Sequence, residues 1–177
     1  YLAALILIAS YATWIPISQW RFEQMLSRNA SILADNKPAS VHCNTAFDAI
    51  FDNDVNVAGH ANPETGEIVM QYTWCAKLID YIAHPQSADD REIWAMSVFI
   101  HEAMHARGEY NEAKTECQAI QRRIRAERMF GIPDMFARKN TNRYYNVLYP
   151  QHPCFSVDCA KDKALNERLG DSSLGFD

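Results

Sequence analysis

The sequence predicts an α+β domain, mainly helical, in which a small β-hairpin or sheet packs on one long helix and on the antiparallel helix that follows it. Three observations carry this expectation. A β-prone stretch, Val55–Gln71, is split by the turn signal Asn62-Pro63-Glu64-Thr65-Gly66. Helical stretches bounded by Pro, Gly or capping residues follow it to about residue 148. The chain has 177 residues, 48% hydrophobic and 22% charged, which is globular and long enough for one core.

Taken in order, residues 1–20 carry no charge and include Trp14 and Trp20. At about 20 residues such a segment is long enough to span a bilayer, so an N-terminal transmembrane anchor is expected. A cleaved signal segment and a buried core helix are the alternatives. No small-x-small cleavage site stands clearly before Arg21. The chain begins at Tyr1 rather than methionine, so a missing N-terminus is expected. Residues 21–38 read as a helical or juxtamembrane linker, and 39–177 as the folded domain. That domain is expected to be extracytoplasmic, membrane-anchored through the first helix, or secreted if the segment is removed.

Within the domain, "KPASVHC" holds a short strand ending at Cys43, and the hairpin follows. "TWCAKLIDYIAH" reads as a helix from Thr73 to His84, stopped by Pro85. Asp89 and Asp90 suit the first turn of a helix over 88–107, with Gly108 as its stop. Asn111 is an N-cap for a helix to about Phe130, ahead of Gly131 and Pro133. Further helices are expected over Asp134–Leu148 and near Ala160–Leu169. The basic run Gln121–Arg128 lies towards a helix C-terminus and reads as a solvated face. The net charge of −5 argues against a nucleic-acid binder, which needs a basic surface. Five cysteines without a C-x-x-C pair suit an exported, disulfide-bonded chain. The expected pairs are Cys43–Cys75 and Cys117–Cys159, with Cys154 a rival for the last; spacing alone does not fix connectivity.

The chemistry is concentrated in "SVFIHEAMHARGEYNEAKTECQAIQRR", Ser97–Arg123. His101 and His105, four apart on a helix, present both imidazoles on one face. Two imidazoles so placed can bind one Zn²⁺, and Glu102 beside them can take a proton from water that the metal activates, the logic of H-E-x-x-H. A third ligand cannot come from one continuous helix, because His101 to Glu112 would span about 16 Å at 1.5 Å per residue. The chain must reverse at Gly108, which sets His105 roughly opposite Glu112 and His101 roughly opposite Glu116. Glu112, Glu116 and Asn111 are the candidates, Glu112 first.

These residues resemble the gluzincin branch of zinc peptidases, whose second motif, E-x-x-x-D, is matched by "NEAKTECQA" with Glu116 at the aspartate position. The resemblance implies a minimal zincin-like domain with His101, His105 and Glu112 as ligands, Glu102 as catalytic base and Glu116 as the group that orients a histidine ligand. The spacer from His105 to Glu112 is very short for that group, and His101–Gly108 also resembles the metzincin turn. The layout is similar, too, to small membrane-anchored bacterial metallopeptidases, through Val41-His42-Cys43, Cys75, the His101–Cys117 block and Cys159. Asn111 stands where those have aspartate.

The expected function is therefore zinc-dependent hydrolysis of peptide bonds in a peptide or protein substrate, by a monomer. The alternatives are a non-catalytic zinc-binding exported module and a structural domain held by disulfides. Tyr110, Tyr144 and Tyr145 are candidates to stabilise an oxyanion, although each is more simply a core or surface tyrosine. His42, His60, His84 and His152 read as surface or loop histidines, with His60 able to line a cleft. The strand Glu67–Met70 is expected at a sheet edge, where an extended peptide could add.

Overall fold

A computed structural model describes residues 1–45, 48 and 57–174, apart from the side chains of 6–9 and 11–15. Its elements are α1 (Leu2–Leu33), β1 (Ser40–Cys43), β2 (Gly59–Ala61), β3 (Glu67–Met70), α2 (Tyr72–Ala83), α3 (Asp90–Arg107), α4 (Glu112–Met129) and α5 (Asp134–Arg143). A π-helical turn, Tyr144–Leu148, and a 3₁₀ turn, Tyr149–Gln151, follow α5. The α+β, mainly helical class is as the sequence predicts. The Val55–Asn56 start of the expected hairpin lies outside the described residues.

β2 and β3 pair antiparallel through the expected turn, and β1 joins the other side of β3 in parallel. The strand order β1-β3-β2 puts β3 in the middle. Glu67–Met70 is therefore no edge: both its flanks are paired, and the outer strand beside α3 is β2. Gly66 makes the turn possible, with φ of 76° and the Pro38 carbonyl filling the space where a Cβ would stand. Val41, Cys43, Ile68 and Met70 face inward, in the alternation that a sheet with one covered face requires.

The N-terminal segment corrects the sequence reading. Among the described residues no helix is long and apolar enough to cross a membrane. Pro16, Ser18 and Gln19 interrupt the described part of the uncharged run, and the same helix continues through Arg21, Glu23 and Arg28. The expected anchor, and with it a membrane partner through this helix, is not supported. The second half of α1 has a different task. Ser31, Ser27 and Glu23 accept the backbone N–H groups of Ala39, Val41 and Cys43 at 2.9, 2.8 and 2.9 Å. Four residues of helix rise about 6 Å, close to the advance of two residues of strand. A polar stripe at i, i+4, i+8 can thus cap every second donor of β1. Leu26, Ala30 and Leu33, fully buried, seal the same helix to the core, and the outer flank of β1 is covered.

α3 starts in a capping box: Asp89 accepts from Glu92 N at 2.8 Å, and Glu92 Oε2 accepts from Asp89 N at 2.9 Å. It ends at Gly108, whose φ of 107° reverses the chain. Asn111 then caps α4 by accepting from Lys114 N at 2.9 Å. The result is the antiparallel pair that the sequence predicts. The disulfides are Cys43–Cys75, joining β1 to α2, and Cys117–Cys159, joining α4 to the tail, and Cys154 is left as a free thiol.

Two further expectations differ from the structure. Residues 160–169 form isolated turns, not a helix. Glu167 there is drawn into ion pairs with Arg107 (2.9 Å) and Arg122, and its N–H donates to Gln121 Oε1 at 2.8 Å. The basic run on α4 is likewise not a solvated face, since Arg122 and Arg123 are both buried. Arg123 donates to the Ile93 carbonyl at 2.9 Å and to Ser97, and its Nε lies 2.9 Å from Glu127 Oε1.

Candidate metal centre

The reversal at Gly108 brings His101 and His105 of α3 against Glu112 and Glu116 of α4. His101 Nδ1 lies 2.8 Å from Glu116 Oε2, and His105 Nδ1 lies 2.7 Å from the Glu109 carbonyl. Both partners are acceptors, so both Nδ1 atoms carry hydrogen. Each neutral ring then holds a lone pair at Nε2. Those two atoms are 3.0 Å apart. Glu112 joins them, with Oε2 3.0 Å from His101 Nε2 and Oε1 3.4 Å from His105 Nε2. Three acceptors thus converge with no donor among them, and a positive charge must sit between them: a proton on one ring, or a metal ion. One ligand atom from each of His101, His105 and Glu112 lies within 4.8 Å of the others, a set that could hold a metal. The donors, two imidazole nitrogens and a carboxylate oxygen, suit Zn²⁺.

Glu116 stands behind this group. It is 1% exposed and offers Oε2 to His101 and Oε1 to the Tyr144 hydroxyl, which donates at 2.7 Å. Burial alone would raise its pKa, but the His101 and Tyr144 contacts outweigh burial and hold the carboxyl below its usual range. The same pair works on His101: burial opposes its charge, and the Glu116 contact overcomes this, lifting the ring to about 9 in the metal-free protein.

Glu102 is 6% exposed. Among the described residues its carboxylate has no hydrogen bond or ion pair. Burial first, then Glu112 and Glu116, push it up to about 7 against the pull of His101. It lines two adjoining cavities, of about 530 and 420 Å³, that share His101 and Glu112. β2 runs past it at Gly59, where a Cβ would stand 3.4 Å from Glu102 Cγ and 3.0 Å from the Val69 carbonyl. Trp74, Trp94 and Val98 give the larger cavity an apolar wall.

Compared with known proteins, the chain matches no family model, no curated protein and no solved structure.

The site therefore rests on its own geometry. His101, Glu102, His105, Glu112 and Glu116 are brought together, and His60 lines the smaller cavity. Tyr110 is exposed beside that cavity. Tyr144 is fully buried behind Glu116, and Tyr145 donates to the Cys159 carbonyl at 3.0 Å; neither faces substrate space in the way an oxyanion donor would. Asn111 is occupied as a cap.

His152, read from sequence as a surface or loop residue, forms part of the larger cavity's wall with Cys154. Its ring lies against Trp94, centroids 5.2 Å apart. The Cys154 N–H donates to its Nδ1 at 3.1 Å, which leaves the proton of the neutral ring on Nε2, 4.0 Å from Glu116 Oε2. Burial holds the ring below its ordinary pKa and keeps it neutral. The Cys154 thiol lies 3.8 Å from Glu112 Oε2, and burial pushes it up to about 11. The local hint of either role was Pro150 and Pro153, which flank His152 and directly precede Cys154, where a helix is unable to continue.

Proposed function

We propose that the chain is a zinc-dependent metallopeptidase, similar in its helix pair to the gluzincins, with His101, His105 and Glu112 holding the metal. The observation that carries the reading is the convergence of three acceptor atoms without a donor, beside a buried carboxylate that has no hydrogen-bond or ion-pair partner among the described residues and faces a cavity. Zn²⁺ bound there would supply Lewis acidity towards a peptide carbonyl and a lowered pKa for water.

The remaining steps belong to the chain. Glu116 fixes the His101 ring with Nε2 facing the site, and the Glu109 carbonyl does the same for His105. Glu102, with its carboxyl near neutrality, takes a proton from the attacking water and returns it to the leaving amine. His152 offers Nε2–H to the substrate carbonyl oxygen as charge develops on it. The apolar wall of Trp74 and Trp94 keeps water away from the reacting groups and receives an apolar part of the substrate. The two disulfides support work in an oxidising compartment outside the cytoplasm.

A closed zinc site without catalysis is the second reading, and the nearness of the Cys154 thiol to Glu112 favours it.

The test has two stages. Metal content of the purified chain should be one zinc, lost in Glu112→Gln and retained in Glu102→Gln. A screen of peptide substrates then compares the unmutated protein with Glu102→Gln. Cleavage that vanishes in Glu102→Gln supports the peptidase. Equal cleavage by both removes Glu102 as base, and no stoichiometric zinc removes the metal site.

A further inference from the structure

Glu116 is a second carboxylate in contact with His101, yet it stands outside the group of His101, His105 and Glu112 whose ligand atoms converge. Oε2 sits on His101 Nδ1, the nitrogen that faces away from the site, and Oε1 is taken by the Tyr144 hydroxyl. We infer that Tyr144 is a positioning residue that sets the number of protein ligands, holding Glu116 out of the coordination sphere so that a position stays open beside Glu102. The inference rests on the metal-site reading above and goes a step beyond it.

The surroundings of Tyr144 fit a device for holding one oxygen in place. It is the first residue of the π-helical turn that ends α5, a local departure from the α-helix that recurs at functional positions. Its ring is gripped on two sides. The Arg123 guanidinium lies 4.8 Å from its centroid, and Trp94 meets it edge-on with centroids 6.4 Å apart. Arg123 is itself fixed by the Ile93 carbonyl, Ser97 and Glu127. A buried tyrosine in core packing also satisfies its hydroxyl, so packing alone does not need this acceptor. What distinguishes the arrangement is that the chosen acceptor is the buried carboxylate whose other oxygen is bonded to a candidate ligand, His101. Removing the hydroxyl would leave Glu116 Oε1 without a partner at 1% exposure, where an unmet charge is costly. The carboxylate would then be free to turn towards the His152 Nε2–H, 4.0 Å from its Oε2, or towards the metal.

The experiment uses the full chain with Co²⁺ as a probe of coordination, beside zinc affinity by calorimetry. Visible cobalt bands weaken as coordination number rises. Tyr144→Phe should bind one cobalt with weakened bands, and its zinc affinity should differ from the unmutated protein's by about ten-fold or more. In a Glu116→Gln background the same substitution should add nothing, because an amide is a poor ligand; the cycle isolates the pair. A role confined to packing would give equal changes in both backgrounds, and that result, or an unchanged cobalt spectrum in Tyr144→Phe, overturns the inference. Glu116→Gln alone guards against a Tyr144→Phe chain that does not fold. It should keep the unmutated band pattern, whereas loss of that pattern would make Glu116 a ligand and overturn the inference. Failure of the unmutated chain to bind one metal is a separate outcome, which sinks the metal-site reading itself and the inference with it.

Discussion

His101 Nε2 and His105 Nε2 stand 3.0 Å apart although each ring already donates through Nδ1. Without metal, a second proton on His101 relieves the opposition of lone pairs, and the ring keeps it up to about 9.

This sets a pH dependence whose sign reverses with metal. A folded pKa of about 9 against an unfolded value near 6.5 means that His101 favours the metal-free fold most below 6.5. That contribution, on the order of 3 kcal/mol, is lost as pH rises through 9. Glu102, raised from 4.5 to about 7, acts in the same direction at lower pH. Zinc must displace the His101 proton, so zinc affinity rises with pH over that range. Urea unfolding at pH 6 and 9, with chelator and with zinc, should give opposite slopes. Parallel slopes would mean that the proton and the metal do not share the site.

His152→Ala should leave zinc stoichiometry intact and lower kcat/KM by about a hundred-fold, the usual cost of one oxyanion donor. Most of the loss should fall in kcat. A change confined to KM would make His152 a wall of the cavity and no more.

Cys154→Ser should change zinc affinity by less than about three-fold, because the thiol is not one of the groups whose ligand atoms converge. A loss of ten-fold or more, about 1.4 kcal/mol, would place sulfur on the metal and favour the closed, non-catalytic site.

Glu127→Ala should destabilise the fold by about 3–5 kcal/mol, because it leaves the buried Arg123 guanidinium uncompensated. Arg123→Met combined with Glu127→Leu should recover most of this. Denaturant midpoints decide it: a double variant no better than Glu127→Ala would show that the pair does more than neutralise itself.

What the sequence made legible was local. The i, i+4 spacing of His101 and His105, the stop at Gly108 and the cap at Asn111 set the two histidines against the two glutamates, since each rests on helix geometry within a few residues; Glu116 meets His101 as expected, whereas Glu112 lies nearer His101 than His105. The turn at Gly66 was readable for the same reason. Features set by distant partners were not. Arg122 looks like surface charge until Glu167 is known to receive it, and Arg123 until Ser97 and the Ile93 carbonyl are. His152 is far along the chain from Trp94, against which it lies. The second half of α1 read as a linker, because the use of Ser27 and Ser31 depends on β1, which comes later. β3 carried no sign that a parallel neighbour would cover its second flank.

The Cys117–Cys159 bridge closes a span of 42 residues, worth about 4 kcal/mol in chain entropy, and that span contains both Tyr144 and His152. Its consequence is one of timing. α3 and the start of α4 can bring the two histidines and two glutamates together through short-range folding alone, while Tyr144 and His152 arrive on a stretch whose far end is tied to α4 by oxidation as well as by the contacts of Leu165 and Glu167. A chain that has folded but is still reduced would possess the cluster and hold its backing and its wall less firmly until the second pair of sulfurs joins.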